Sequence, residues 1–150
     1  MKDAFQTVDL SANNIYGFLT KCDTQFSPFL SSRVNLIEYS EKLFLNSTII
    51  HTKENNEIIG IVAFYANNNS LEHAFISLFC VLEQYKGNGI GDRLMNECIT
   101  LIKTKNFKSI KLEVDTENQK AISFYTKFGF HVEEQNQRSY IMVKHLYQTT

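Results

Sequence analysis

The stretch that most constrains this chain is residues 75–102, FISLFCVL, then EQYKGNGIG, then DRLMNECITLI. Phe75 to Leu82 is apolar except for Ser77, the pattern of a strand covered on both faces. Gly87, Gly89 and Gly91 follow at alternate positions. From Ile90 the apolar residues Ile90, Leu94, Cys98, Leu101 and Ile102 fall on one stripe of a helix. A buried strand, a glycine loop and a helix start in that order aim several backbone N–H groups at one point, at the positive end of a helix dipole. A phosphate or pyrophosphate suits that point. Two familiar phosphate loops do not fit. Gly91 is followed by Asp92 rather than Lys-Ser or Lys-Thr, as a nucleotide-triphosphate loop requires. The spacing is G-x-G-x-G rather than the dinucleotide G-x-G-x-x-G.

Around this stretch the chain reads as a single domain over residues 1–150, long enough to bury about 70% of its unfolded surface. A 43% hydrophobic content with twelve Phe and seven Tyr is that of a folded globular protein. A net charge of −1 gives no footprint for nucleic acid or an anionic membrane. No apolar run reaches the roughly 18 residues of a membrane span, and MKDAFQTVDL lacks the apolar centre of a signal peptide. Cys22, Cys80 and Cys98 are odd in number and widely spaced, with Cys80 and Cys98 at apolar positions. They read as reduced, buried thiols of a cytoplasmic protein, not as a disulfide or metal set.

Taken in order, the chain predicts a first helix capped by Asp9 or Ser11, with Ile15, Phe18 and Leu19 inward. A loop over 23–32 follows, then a helix over 33–46 with Leu36, Tyr39, Leu43 and Phe44 on one stripe. Strands over 48–53 and 58–66 are joined by Glu54-Asn55-Asn56-Glu57, and the Asn67–Asn69 run turns the chain into the strand before the glycine loop. Beyond the long helix, Asn106–Ser109 turns into a strand over 110–114. Thr116 and Gln119 have the spacing of a capping box. The next helix carries Ala121, Phe124, Tyr125 and Phe128 on its inward stripe and stops at Gly129. Two closing strands cover 130–134 and 140–146. The expected fold is α/β (α+β), a mostly antiparallel mixed sheet with helices on both faces and one parallel strand pair.

Gln84-x-x-Gly87-x-Gly89, with Ile90-Gly91 behind it, resembles the coenzyme A loop of the GCN5-related N-acetyltransferases, the GNAT superfamily. The segment LEVDTENQKAISFYTKFGF, residues 112–130, resembles that superfamily's second signature through Asn118, Ala121, Phe124-Tyr125 and Gly129-Phe130. The two signatures cover about residues 74–130 and lie one helix and one strand apart. The first forty-five residues carry neither.

The resemblance implies a GNAT-like fold and an acetyl-CoA-dependent N-acetyltransferase with no metal. Backbone N–H groups of Gly87, Asn88, Gly89, Ile90 and Gly91 would hold the pyrophosphate, with Gln84 and Lys86 also among the coenzyme A-binding residues and Lys86 and Arg93 as screening charges or as plain solvated ones. In the superfamily the strands flanking the helix splay, and the pantetheine arm inserts between them. Here Phe79 and Val81 would bond the arm through their main chains and Asn118 would contact it from the far side, or Asn118 would serve only the helix start. Tyr125 matches the family's proton donor for the departing thiolate, and a phenol with a pKa of about 10 is protonated at neutral pH. Its alternative is a core aromatic. Glu113, twelve residues before Tyr125, matches the base of the protein N-terminal acetyltransferases in the superfamily, or is a solvated strand residue. His73 is the competing base.

The acceptor pocket would draw on residues 26–33 and 137–140, with Phe29, Arg33 and Tyr140 as substrate contacts beside Phe26, Tyr39 and Arg138. Aromatic and basic side chains there favour a small-molecule amine bearing phosphate, carboxylate or sugar hydroxyls, such as an amino sugar or sugar nucleotide, over a polyamine. A protein N-terminus is the second acceptor. A non-catalytic coenzyme A-binding module and a nucleotide-binding regulator are readings from other classes. No nucleic acid or membrane partner is expected, and the expected state is a monomer or homodimer.

Overall fold

The structure is a computed structural model and describes residues 10–66 and 72–146. The expected turn at Asn67–Asn69 and the alternative cap Asp9 lie outside the described residues. Described elements run α1 (Ala12–Cys22), α2 (Leu36–Asn46), β1 (Thr48–Glu54), β2 (Glu57–Tyr65), β3 (His73–Val81), α3 (Ile90–Thr104), β4 (Ser109–Asp115), α4 (Gln119–Lys127), β5 (His131–Gln135) and β6 (Ser139–His145). Short 3-10 turns lie at Asp23–Gln25, Leu30–Ser32 and Glu83–Tyr85. The strands form one six-stranded sheet in the order β1-β2-β3-β4-β6-β5. β3 and β4 are parallel, while β1–β2, β4–β6 and β5–β6 are antiparallel. The mixed, mostly antiparallel sheet is the one the sequence predicts.

The chain divides into two compact units, residues 1–64 with 78–99, and residues 65–77 with 100–150. In the first, β2 is buried from Ile58 to Phe64, because its run of apolar residues leaves neither face for water. Ile15, Phe18, Leu19 and Cys22 of α1 and Leu43 of α2 join the same core as Ile59, Ile61, Leu78 and Leu82. Ser11 caps α1, its hydroxyl accepting the Asn14 N–H. Asn55 and Asn56 both have positive φ, as the two-residue turn between Glu54 and Glu57 demands. Gly60 on β2 lies beneath α3. A Cβ there would come within 3.0 Å of Leu94 Cδ1 and 3.4 Å of Ile90, so glycine lets the first turns of α3 close on the sheet.

Two expectations for this unit are corrected. The second helix begins at Leu36, not Arg33, because the Asn35 side chain accepts the Glu38 N–H and Arg33 still closes the preceding 3-10 turn. On α2 the buried residues are Ser40 and Leu43, whereas Phe44 is 42% exposed. Ser40 is admitted because its hydroxyl donates back to the Ile37 carbonyl.

In the second unit β3 pairs with β4 from His73–Ser109 to Ile76–Leu112. β4 buries Ser109, Ile110, Leu112 and Val114 and turns Lys111 and Glu113 outward, and it pairs with β6 along its whole length. A bulge between Val132 and Glu134 leaves Glu133 out of the β5–β6 register, and its carboxylate pairs with Lys111 at 3.0 Å.

The expected cap Thr116 is also corrected. Its N–H is held by the Arg138 carbonyl at 2.9 Å, so the chain is still bound to the β6 hairpin there. The helix starts only after Asn118, whose side chain accepts the Ala121 N–H at 3.1 Å. The stripe of α4 is half-buried rather than inward: Ala121, Phe124, Tyr125 and Phe128 all keep some exposure, and no residue of the helix is fully buried. Gly129 ends it at φ +94, with Phe130 N–H reaching back to the Tyr125 carbonyl.

The connection after α1 is tied by a carboxylate. Asp23 accepts the Ser31 hydroxyl and the Ser31 N–H, both at 2.7 Å, and these bonds hold its pKa below the usual aspartate value. A lowered folded pKa gives stability that is present above the ordinary carboxylate range and lost as pH falls through it. Replacing Asp23 by Ala should therefore open a stability gap to wild type in urea titrations at pH 7 that narrows at about pH 3. A gap of equal size at both values would contradict this. Asn118→Ala should cost about 1 kcal/mol through the lost cap, while Asn118→Asp should hold stability within a few tenths of wild type. Equal melting temperatures for the two variants would show that the cap carries nothing.

Candidate functional site

The glycine loop lies wholly in the first unit. Leu82 N–H bonds to the Ile59 carbonyl on β2, so the main-chain groups of Val81, one residue earlier, point away from β2. After Leu82 the chain makes the 3-10 turn Glu83–Tyr85, with Tyr85 N–H on the Leu82 carbonyl and Lys86 N–H on the Glu83 carbonyl. The loop proper is Lys86 to Gly89. Gly87 and Gly89 take φ +86 and +79, which is left-handed backbone on either side of Asn88. The Asn88 side chain closes the turn by donating to the Tyr85 carbonyl at 3.2 Å. Gly89 carbonyl accepts the first helical bond of α3, from Arg93 N–H at 3.0 Å. The N–H groups of a helix's first turn have no partner within the helix and stand at its positive end.

A Cβ on Gly87 or Gly89 would meet no atom of the protein within 4 Å. Glycine is required there by its positive φ, and the space beside the main chain stays open. Gln84, Lys86, Gly87, Asn88 and Gly89 are exposed, and Ile90 and Gly91 are half-buried. This is a cradle of the kind that takes an anion, and the residues fit the pyrophosphate of coenzyme A.

The two screening charges have other engagements. Arg93 donates to the Thr52 hydroxyl on β1 at 2.6 Å, and Lys86 pairs with Glu83 at 3.3 Å with both side chains well exposed. Tyr85 packs against the first core, and its phenol is pushed above the usual value by desolvation and by the Glu54 carboxylate that bonds it. Gln25, a residue with no distinguishing sequence pattern, reaches the end of β3. Its Nε2 donates to the Val81 carbonyl at 3.0 Å and the Cys80 sulfur at 3.5 Å, and its Oε1 accepts the Glu83 N–H at 2.9 Å. Phe79 on β3 is half-buried. Phe29, 51% exposed, and exposed Arg33 flank the second 3-10 turn.

The other candidate residues lie in the second unit. Glu113 is exposed on β4, and the Ser139 hydroxyl of β6 donates to its Oε2. Ser139 escaped notice because only the register of β4 against β6 brings it diagonal to Glu113. Tyr125 is half-buried with its ring edge-on to Phe124 at 5.6 Å and to Phe130 at 5.9 Å. Tyr140 is half-buried opposite Val114. His73 begins β3, paired with Ser109.

The three cysteines are buried and reduced, as expected. The Cys22 thiol is pushed up by its bond with Cys80 and by burial, and Cys98 by burial, which makes both poor nucleophiles. Among the described residues no His, Cys, Asp and Glu group of three could hold a metal, and no helix is long and apolar enough to cross a membrane.

Known proteins resemble this chain in sequence and in fold. The chain is 27% identical over 79 residues to N-alpha-acetyltransferase 30 of Schizosaccharomyces pombe, an alignment covering 51% of this chain and 53% of that protein. The chain thus spans about half the length of that relative. The PaiA N-acetyltransferase of Thermoplasma acidophilum, solved in complex with coenzyme A, superposes with a TM-score of 0.72 at 21% identity, over 91% of this chain and 95% of that one. The ribosomal-protein alanine N-acetyltransferase of Escherichia coli gives 0.76 at 16% identity, over 99% and 94%. These two likenesses are of fold. Residues 13–130, most of the sequence, match the acetyltransferase (GNAT) family, and the chain belongs to that family.

Proposed function

We propose that this chain transfers an acetyl group from acetyl-CoA to a primary amine by direct attack of the amine on the thioester. The observation that carries the donor half is the left-handed pair Gly87 and Gly89 leading into α3, with open space beside both α-carbons. Acetyl-CoA supplies an acyl group on a good leaving thiolate. The loop from Gln84 to Gly91 holds the pyrophosphate by the main-chain N–H groups of Gly87 to Gly91, and main-chain groups of Phe79 and Val81 line the arm. Asn118 combines its cap with a contact to the arm, which its exposed position on the helix start permits.

The residues of the second unit carry the proton traffic. Glu113 takes a proton from the incoming ammonium, directly or through water. Ser139 keeps one carboxylate oxygen in place for this. The neutral amine forms the C–N bond, the C–S bond breaks, and Tyr125 gives its phenolic proton to the departing sulfur. The edge-on aromatic contacts of Tyr125 with Phe124 and Phe130 fix the ring.

The acceptor is read as a small amine carrying phosphate, carboxylate or sugar hydroxyls. Support comes from the loop after α1: it presents Phe29 and Arg33, and its carboxylate, Asp23, is committed to Ser31. A polycation would find little to bind there. The second reading, a protein α-amine, is favoured by the twelve-residue spacing of Glu113 and Tyr125 and by the likeness to an N-alpha-acetyltransferase.

A screen of amino sugars, sugar nucleotides, polyamines and short peptides with detection of released thiol tests both. Turnover of an anionic or hydroxylated small amine is expected, and activity confined to peptides would replace the first reading by the second. With the best acceptor, Tyr125→Phe should keep the fold and acetyl-CoA affinity while kcat falls about 10²–10⁴-fold. The loss should shrink with an acyl donor whose thiol is more acidic. A kcat near wild type, measured where chemistry limits the rate, would remove Tyr125 from the mechanism.

A further inference from the structure

Gln25 does something none of the family's two signatures encodes. It belongs to the 3-10 turn Asp23–Gln25, which leaves α1, yet its side chain spans the main chain at residues 81–83. A primary amide offers one donor group and one acceptor on a planar head. Here the donor meets the Val81 carbonyl at 3.0 Å and the acceptor meets the Glu83 N–H at 2.9 Å. Those two groups bracket Leu82, the residue between the end of β3 at Val81 and the turn Glu83–Tyr85 that leads into the glycine loop. Leu82 itself is held on its other side by the Ile59 carbonyl. The exit of β3 is therefore gripped from both edges, by β2 and by Gln25.

The main chain on either side of Gln25 is held. Phe26 N–H bonds back to the Asp23 carbonyl, and the Asp23 carboxylate takes two bonds from Ser31. The grip is tied to the connection between α1 and α2, so it is not a loose surface side chain. Without Gln25, the Glu83 N–H and Val81 carbonyl would turn to water and the 3-10 turn Glu83–Tyr85 would lose its fixed start. The direction in which Gly87 to Gly91 present their N–H groups depends on that start.

We infer that Gln25 is a positioning residue for the cofactor loop: it sets the strand exit so that the glycine loop is formed before coenzyme A arrives. The inference rests on the acetyl-CoA reading above. The benefit is preorganisation, since a loop already in its bound shape loses less entropy on binding. Gln25 acts through Val81 and Glu83, so its effect belongs in cofactor binding and not in the chemical step.

Two variants isolate the effect. Gln25→Met keeps the length and bulk and removes the bonds to Val81, Glu83 and the Cys80 sulfur. Gln25→Glu keeps an acceptor for Glu83 N–H but sets a carboxylate oxygen against the Val81 carbonyl. By calorimetry with coenzyme A, Kd should rise about tenfold for Gln25→Met and at least as much for Gln25→Glu. KM for acetyl-CoA should follow, with kcat and the acceptor KM within about twofold of wild type.

If both variants fold and bind coenzyme A as wild type does, Gln25 positions nothing. A raised acceptor KM with unchanged Kd would assign the side chain to the acceptor instead. Failure of both variants to fold would make it a folding requirement and likewise overturn the positioning role. Wild-type protein that binds no coenzyme A would overturn the acetyl-CoA reading itself, an outcome separate from the other three.

Discussion

The proposed glycine-loop site rests on one constraint: main-chain N–H groups can converge on an anion only where no side chain stands in the way and the chain is turned to face it. Gly87 and Gly89 supply the turn through positive φ, and α3 supplies the aligned dipole behind it. A loop so rich in glycine is costly to order by itself. The surrounding structure offsets that cost. β2 holds Leu82, Gly60 lets α3 close on the sheet, Asn88 ties the loop to Tyr85, and Tyr85 packs into the core. Arg93 joins the effort from the helix side by bonding Thr52 on β1. The sequence had offered that arginine as a charge screening the phosphates or as a plain solvated one, and the structure gives it this bond to β1.

The sequence displayed most of this frame because the relevant signals are local. The apolar run of β2, the period of α3, the Asn55-Asn56 turn and the stop at Gly129 each depend on residues within a few positions. Each is found where the pattern places it. Misreadings arose where a distant partner decides. Thr116 has the chemistry of a cap and is denied the role by the Arg138 carbonyl. The α4 stripe has the spacing of a core face, but burial depends on what packs against it, and that helix stays half-exposed. Ser139 beside Glu113 and Gln25 beside Val81 are contacts across 26 and 56 positions. No periodicity or motif announces a polar side chain whose partner is remote in the sequence.

The candidate site splits along the same line. The glycine loop is a property of main chain and was legible from glycines set between an apolar strand and a helical stripe. The roles of Glu113 and Tyr125 came from resemblance, and to these the structure adds neighbours, a serine on the carboxylate and two aromatic rings on the phenol. The acceptor is the least legible part. The proposal assigns its recognition to the loop after α1, where Phe29 and Arg33 are ordinary surface residues by composition.

The central claim is that the main chain of the glycine loop is the coenzyme A site. The most direct test follows the backbone amide resonances of an isotope-labelled protein as coenzyme A is added. The N–H signals of Gly87 to Gly91 should shift most and saturate together, with slowed exchange against solvent, while the amides of α2 stay in place. Saturable binding that leaves the loop amides unmoved and perturbs another set would contradict the account.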